Sequence, residues 1–216
     1  AFDSAGNPLI SYYDYSNLDL KLAKWTGSTW NIQTVDSAGD VGMCCSLALD
    51  PSDNPRITYM NYVPGESDLK YAAWSGSAWA ISIIDSNGDN GQLGSLALNS
   101  AGNPLVSYFD NSTKDLKFAK WTGTAWTIET VDTEGIVGSS SSLKLDSSGN
   151  PCIAYYSTSN GDLKYAKWTG SAWSIQLVDT EGTVGAYHSL ALDSAGNPHI
   201  SYYNFSSGDL KYAEGS

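Results

Sequence analysis

The sequence predicts an all-β fold made of small antiparallel sheets, one per repeat, and three observations carry that expectation. A unit of the type Ser189 to Ala213, SLALDSAGNPHISYYNFSSGDLKYA, returns five times along the 216 residues. Its Asn-Pro step keeps phase at Pro8, Pro55, Pro104, Pro151 and Pro198, with spacings of 47, 49, 47 and 47 residues. No stretch shows the i, i+3, i+4, i+7 pattern of a helix, while eight Trp, fourteen Tyr and twenty-one Gly suit strands joined by tight turns. Each copy reads as four strands, and four-stranded units at a period in the forties predict a five-bladed β-propeller. The blades fall at about 1–45, 46–94, 95–141, 142–188 and 189–216, in one domain. A parallel β-helix is the competing architecture, and its turns usually have shorter periods.

The second copy shows the elements in order. Ser46-Leu47-Ala48-Leu49-Asp50 alternates small or polar with apolar residues, as a short buried strand does. Its small side chains suit the narrow axis, so this is the inner strand. The turn Pro51-Ser52-Asp53-Asn54 follows, where the other copies read Asp/Asn-Ser-(Ala/Ser)-Gly-Asn, all turn formers. Pro55 opens the second strand, where a missing N–H does least harm. A variable loop leads to the third strand, Asp68 to Trp74, and the hairpin Ser75-Gly76-Ser77-Ala78 brings in the fourth, Trp79 to Ile84. The last copy stops at Ser216, before its fourth strand, so nineteen strands are expected, with a three-stranded last blade. Its third strand is then an open edge, blunted by Asp209, Lys211 and Glu214, through which the chain could self-associate. The start at Ala1-Phe2-Asp3 lies inside a repeat and reads as that of a processed, excised or engineered piece.

A formal charge of −12 argues against nucleic acid or an anionic membrane surface as partner, and no apolar run approaches the length of a span. An acidic chain of this kind fits an extracellular or cell-surface protein. Cys44 and Cys45 are adjacent and Cys152 stands alone in a strand, so no disulfide framework is expected; free thiols are favoured over a strained vicinal bridge.

Comparing the copies separates scaffold from candidate site. Tyr12, Tyr59, Tyr108, Tyr155 and Tyr202 share one position. Asp19, Asp68, Asp115, Asp162 and Asp209 share another, each followed at i+2 by a Lys on the same strand face, and these pairs are expected to link strands or blades. The pairs Trp25/Trp30, Trp74/Trp79, Trp121/Trp126 and Trp168/Trp173 flank four-residue turns. Across a hairpin such pairs contribute about 0.2–1 kcal/mol. They are also a platform on which a sugar ring could stack, repeated four times.

In a four-stranded meander the turns after strands one and three lie on one side of the disc, and the loops after strands two and four on the other. The first class hardly varies between copies; the second varies a great deal. That diversified face is the candidate binding surface, because binding residues tend to sit on loops held by a rigid scaffold. Its residues include Met43, Gln92, Leu93, Ser140, Tyr187 and His188 before the inner strands, and Asp14, Asn61, Asp110 and Asn204 after the second strands.

Catalytic chemistry finds little support. No glycine-rich loop precedes a helix, and no Gly-x-Ser-x-Gly elbow is present. The inner-strand carboxylates Asp50, Asp146 and Asp193 occupy equivalent places, whereas an acid and a base must be told apart by their surroundings. His188 and His199 occupy different repeat positions and predict no metal site. Asp85-Ser86-Asn87-Gly88-Asp89 carries oxygens at alternate positions, as calcium loops do, but its Gly falls one place early and no Glu closes it. No cofactor is expected, with calcium at that loop the one alternative.

The repeat Ser-x-Leu-Ala-Leu-Asp-Ser-Ala-Gly-Asn-Pro-x-Ile-Ser-Tyr-Tyr resembles propeller blades of bacterial cell-surface and secreted proteins, and its turn is loosely similar to the sialidase Asp-box. The turn lies after the first strand, the Thr-Trp ending is missing, and Arg56 is the only arginine where sialidases need a cluster, so that activity is not implied. Five near-identical blades of this length are similar in plan to the tachylectin-type lectins, which bind one sugar per blade. The resemblance implies a non-catalytic, multivalent carbohydrate-binding module, and the alternative is a structural or protein-interaction module of a larger secreted or engineered protein.

Overall fold

The computed structural model describes residues 1–215, and these contain eighteen strands and no helix. Blade 1 holds β1 (Leu9–Asp14), β2 (Asp19–Trp25) and β3 (Trp30–Asp36). Blade 2 holds β4 (Val41–Leu49), β5 (Pro55–Asn61), β6 (Asp68–Trp74) and β7 (Trp79–Asp85). Blade 3 holds β8 (Asn90–Leu98), β9 (Pro104–Asp110), β10 (Asp115–Trp121) and β11 (Trp126–Asp132). Blade 4 holds β12 (Val137–Leu145), β13 (Pro151–Ser157), β14 (Asp162–Trp168) and β15 (Trp173–Asp179). Blade 5 holds β16 (Val184–Leu192), β17 (Pro198–Asn204) and β18 (Asp209–Glu214). Each sheet is an antiparallel meander in sequence order, the arrangement of a β-propeller blade.

The count is eighteen strands where the repeat predicted nineteen. Ala1-Phe2-Asp3 aligns with Ala48-Leu49-Asp50, so blade 1 carries only the end of an inner strand, reduced to a Phe2–Pro8 bridge. The inner strands also start five residues earlier than expected, at Val41, Asn90, Val137 and Val184. The residues before Ser46 and its counterparts, read from sequence as loop, therefore belong to the strand as a bulge. Ser46 pairs Thr58 while Met43 pairs Met60, leaving Cys44 and Cys45 opposite Tyr59 alone.

The uniform turns are uniform because their side chains build them. Asp50 Oδ1 accepts the N–H groups of Ser52 and Asn54, and Asp146 Oδ1 accepts those of Ser148 and Asn150. Across the other turn, Thr122 Oγ1 donates to the Ala125 carbonyl and accepts its N–H, and Thr169 repeats this with Ala172.

The core lies between blades. Ile57 and Tyr59 of blade 2 pack on Leu9, Leu20 and Leu22 of blade 1, and Ile153 and Tyr155 of blade 4 pack on Leu105, Leu116 and Phe118 of blade 3. The closest approach to backbone is made by the glycine at the second position of each inner strand, which follows Val in blades 2, 4 and 5 and Asn90 in blade 3. A Cβ at Gly42 would lie 2.8 Å from Leu20 Cα, and one at Gly185 the same distance from Leu163 Cα, so only glycine allows the approach. Near the axis the inner strands are joined by serines: the N–H groups of Leu96, Leu143 and Leu190 donate to Ser46, Ser95 and Ser142 Oγ of the preceding blade.

A polar clamp closes each junction. The hydroxyls of Tyr59, Tyr108, Tyr155 and Tyr202 donate to Asp36, Asp85, Asp132 and Asp179, the last residue of the preceding blade's outer strand. Lys70, Lys164 and Lys211 reach the same carboxylates in three of the four junctions. The lysines thus link blades through a different aspartate from the one two residues before them. Lys21 and Lys117 pair instead with Asp14 and Asp110 on the adjacent strand of their own blade.

Candidate functional site

Both variable loop classes meet on one face. The Tyr62 N–H donates to the Asp40 carbonyl, Asn111 to Asp89, Thr158 to Ile136 and Phe205 to Thr183. Each loop after a second strand is therefore tied to the connection entering its own blade, as the meander geometry predicts.

On that face the residues singled out from sequence divide in two. Leu93 and Tyr187 stand on bulges, 49% and 82% exposed, with left-handed φ of 49° and 52°. Cys44 shares their position and backbone, at φ 52°. Met43, Gln92 and Ser140 are half-buried beside them. Left-handed backbone in a residue with a Cβ costs about 1–2 kcal/mol, so the bulges hold strain. Replacing Leu93 by Asn, which tolerates that region, should stabilise the protein by roughly 0.5–1 kcal/mol in chemical denaturation.

Asp14, Asn61, Asp110 and Asn204 are turned into the scaffold. Asp14 binds Lys21, Asn17 and the Ser16 N–H, and Lys21 foremost holds its carboxyl down at about 2. Burial acts to raise Asp110, yet Lys117 and the N–H groups of Ser112 and Thr113 hold it below the ordinary carboxylate range. Asn204 Oδ1 accepts the N–H groups of Ser206 and Ser207, and Asn61 donates to Asp68. His188 is likewise engaged, its ring nitrogens 2.7 and 2.9 Å from the Gly185 and Ala154 carbonyls. Burial lowers its pKa against the pull of those two acceptors.

Sequence reading missed an aromatic group beside them. Tyr187, Tyr203 and Phe205 cluster with ring centroids 4.9 to 6.5 Å apart, Phe205 being 51% exposed. The signal was present: the position before Asp14 and its counterparts is Tyr13, Met60, Phe109, Tyr156 and Tyr203.

The concave features lie elsewhere, between blades on the side of the uniform turns. Between blades 3 and 4 a groove of about 360 Å³ has Phe118 and Ile128 on one side, Asn150, Pro151 and Trp168 on the other, and Lys120 with Glu129 at its lip. Between blades 2 and 3 a groove of about 320 Å³ is lined by the same repeat positions: Tyr71, Ile81, Asn103, Pro104 and Trp121, with Arg56 in place of Leu105. A third, of about 270 Å³ between blades 4 and 5, repeats the floor with Tyr165 and Pro198 but has Gly215 where the others have Trp.

The Trp pairs are thereby split in role. Centroids within each pair are 5.3 to 5.5 Å apart. Trp79, Trp126 and Trp173 pack back onto the preceding blade, Trp126 against Tyr71 and Trp173 against Phe118. Trp121 and Trp168 wall the grooves, and Trp74 holds the same register position at the first junction. Trp25 and Trp30 belong to blade 1, the first blade among the described residues, and Trp30 is 42% exposed. Four repeated pairs therefore make three junctions with a Trp wall, because the wall comes from the following blade. The Trp173 Nε1–H donates to Glu129, while buried Trp79 and Trp126 Nε1 have no protein partner.

In the suggested calcium loop, Asp85 accepts from Tyr108 and the Asn87 N–H, and Asp89 from Asn111 and the Ser67 N–H, so the oxygens serve the scaffold. Among the described residues no three His, Cys, Asp or Glu side chains converge as a metal site would need. The three cysteines are free thiols. No helix is long and apolar enough to cross a membrane.

Strands, meander blades and inter-blade packing together define an all-β, five-bladed β-propeller whose first and last blades are three-stranded. No protein-family model and no curated protein sequence matches the chain. Among solved structures it is similar to the six-bladed fucose-recognising lectin of Aleuria aurantia, at 13% identity and a TM-score of 0.60 over 98% of this chain and 75% of that one. It is similar to a protein of unknown function from Dyadobacter fermentans, at 12% identity and TM-score 0.62 over 90% and 67% of the two chains. A polysaccharide lyase, an ulvan lyase solved with a GlcA(1-4)Rha3S ligand, matches at 12% identity and TM-score 0.67 over all of this chain and 65% of its own. The fold thus hosts both lectins and carbohydrate-cleaving enzymes.

Proposed function

We propose that the chain is a non-catalytic, multivalent carbohydrate-binding module of extracellular or cell-surface origin, with its sugar sites in the inter-blade grooves. The observation that carries this reading is the recurrence of one groove, built from the same repeat positions and walled by Trp121 and Trp168. An indole face beside polar Asn, Lys, Arg and Glu groups suits a pyranose, which has an apolar face and a hydroxyl edge. Equivalent weak sites on one rigid body gain strength on a multivalent glycan surface. The lectin neighbour, described by its fucose recognition, supports the ligand class.

Binding is favoured over catalysis by the carboxylates. Every aspartate with a resolved shift is held below its ordinary value, and Asp50, Asp146 and Asp193 serve the same turn at equivalent places. Glycoside cleavage needs one carboxyl raised to act as acid. Glycan-array screening followed by calorimetry tests the proposal. Trp121→Ala and Trp168→Ala should each remove about one site per chain and leave the affinity of the others unchanged. Unaltered stoichiometry in both variants, or no glycan bound at all, would sink it.

The rival reading, a protein-interaction or adhesion module, is favoured by the exposed Tyr187, Tyr203 and Phe205 cluster, since aromatic residues dominate protein interfaces. Under that reading Tyr187→Ser abolishes capture of a protein ligand while both Trp variants retain it.

A further inference from the structure

The groove between blades 3 and 4 differs from its counterparts in how its charges are matched. The turn aspartate of blades 1, 2 and 4 is Asp3, Asp50 and Asp146, and in blade 3 that position holds Asn99. Each of those aspartates pairs with a cation of its own blade: Asp3 with Lys24 at 3.4 Å, Asp50 with Arg56 at 2.7 Å and Asp146 with Lys167 at 3.8 Å. Lys120, the counterpart of Lys24 and Lys167, has no carboxylate partner among the described residues. Asn99 keeps the turn, because its Oδ1 accepts the N–H groups of Ala101 and Asn103 as Asp50 Oδ1 accepts those of Ser52 and Asn54. Its Nδ2 therefore stands where the other copies have the carboxylate oxygen that accepts Asn54 and Asn150 Nδ2. One change from acid to amide thus leaves Lys120 Nζ, Asn99 Nδ2 and Asn103 Nδ2 without an acceptor among the described residues. Lys120 and Asn99 both line the groove of about 360 Å³.

We propose that this groove takes an acidic sugar, a pyranose carrying a carboxylate or a sulfate. The inference rests on the reading of the grooves as sugar sites and names the ligand class of one of them. The ring lies against Trp168, and its acidic group meets Lys120 and the Asn99 amide, charge-assisted contacts that a neutral sugar does not make. Glu129, the other charge at the lip, accepts the Trp173 Nε1–H through Oε1 and leaves Oε2 for a sugar hydroxyl. It also repels an acidic group, so the ligand is oriented with that group towards Lys120. The groove between blades 2 and 3 has Ala73 and Ser82 in place of Lys120 and Glu129, and its Arg56 is engaged by Asp50 and the Trp74 carbonyl. That groove is matched to a neutral sugar. The formal charge of −12 disfavours an anion over most of the surface, so a preference for one needs a free local cation.

The test titrates the whole chain with methyl glucuronide, glucose 6-sulfate and methyl glucoside, reading calorimetry and the indole N–H resonances of Trp121 and Trp168. The expected result is that one of the two acidic sugars binds about fivefold more tightly than the glucoside, the scale of one exposed ion pair. It should fill one site per chain and shift the Trp168 resonance rather than that of Trp121. Which acidic sugar does so separates the carboxylate from the sulfate. Asn99→Asp restores the aspartate of the other copies and should bring the acidic sugar down to the affinity of the glucoside. Lys120→Gln should do the same, while neither change alters glucoside binding at Trp121. Two acidic sugars that bind no better than the glucoside would overturn the proposal and leave the sugar reading standing. A preference that survives both substitutions would overturn it as well. Failure of all three sugars to bind would remove the sugar reading together with this inference.

Discussion

Asp132→Ala should lower the stability of this protein by about 3–5 kcal/mol, the cost of breaking a buried ion pair whose lysine keeps only the exposed Glu134 carboxylate at 3.2 Å. The Asp132 and Lys164 side chains are only 5% and 3% exposed and lie 2.9 Å apart across the junction of blades 3 and 4. The same carboxylate accepts the Tyr155 hydroxyl at 2.7 Å and the Glu134 N–H, so its removal takes an acceptor from three donors. In a domain of this size each kcal/mol corresponds to roughly 2–4 °C in Tm. Lys24→Ala, which breaks a pair with Asp3 at a lysine that is 45% exposed, should cost under about 1 kcal/mol. Replacing Asp132 and Lys164 together with apolar residues should recover part of the loss, because a buried pair stabilises little relative to good apolar packing.

The same clamps set the acid limit of the fold. Burial acts to raise Asp36, Asp132 and Asp179, but their Tyr, Lys and backbone donors outweigh it and hold all three below the ordinary carboxylate range. A depressed folded-state pKa means that the unfolded chain takes up protons first as pH falls. The stabilisation is therefore complete above the unfolded value of about 4 and is lost progressively below it. Denaturation midpoints should be flat from about pH 5 to 8 and fall below about pH 4. A flat profile down to pH 2 would show that the clamps do not stabilise the junctions.

Gly185→Ala, like Gly42→Ala at the equivalent position, should cost about 2–5 kcal/mol from left-handed strain and overpacking together. Gly185 has φ +97° and its added Cβ would meet Leu163 Cα at 2.8 Å, backbone that cannot swing away. Gly170 is the matched control, with φ +98° and nothing within 4 Å. Gly170→Ala carries the strain alone, about 1–2 kcal/mol, so the difference between the two isolates the inter-blade contact. Equal losses would mean that the Val-Gly step does not hold the blades together.

Much of this was legible in the sequence, for a local reason. Repeat period, Asx turns, Trp-flanked hairpins and alternation within strands are properties of short segments, so each copy announced its own sheet. The variable loops fell on one face because strand parity alone puts them there. Registers and partners across junctions were not legible. The lysines point past their near aspartates to Asp36, Asp132 and Asp179, since the distance that matters spans about thirty residues and two blades. The grooves escaped for the same reason: Phe118 and Trp168 lie fifty residues apart in the chain and become neighbours only when blade 4 leans on blade 3.

By itself, then, the sequence determined the blade, its four-strand order, its two kinds of loop and the number of copies, because hydrophobic period and turn chemistry act within a few residues. Tertiary packing decided which tryptophan of each pair is buried and which stays open, and which carboxylate each lysine reaches. It also decided that Asp14, Asn61, Asp110, Asn204 and His188 are hydrogen-bonded within the scaffold. Those outcomes depend on which surfaces meet, and a junction belongs to two copies at once.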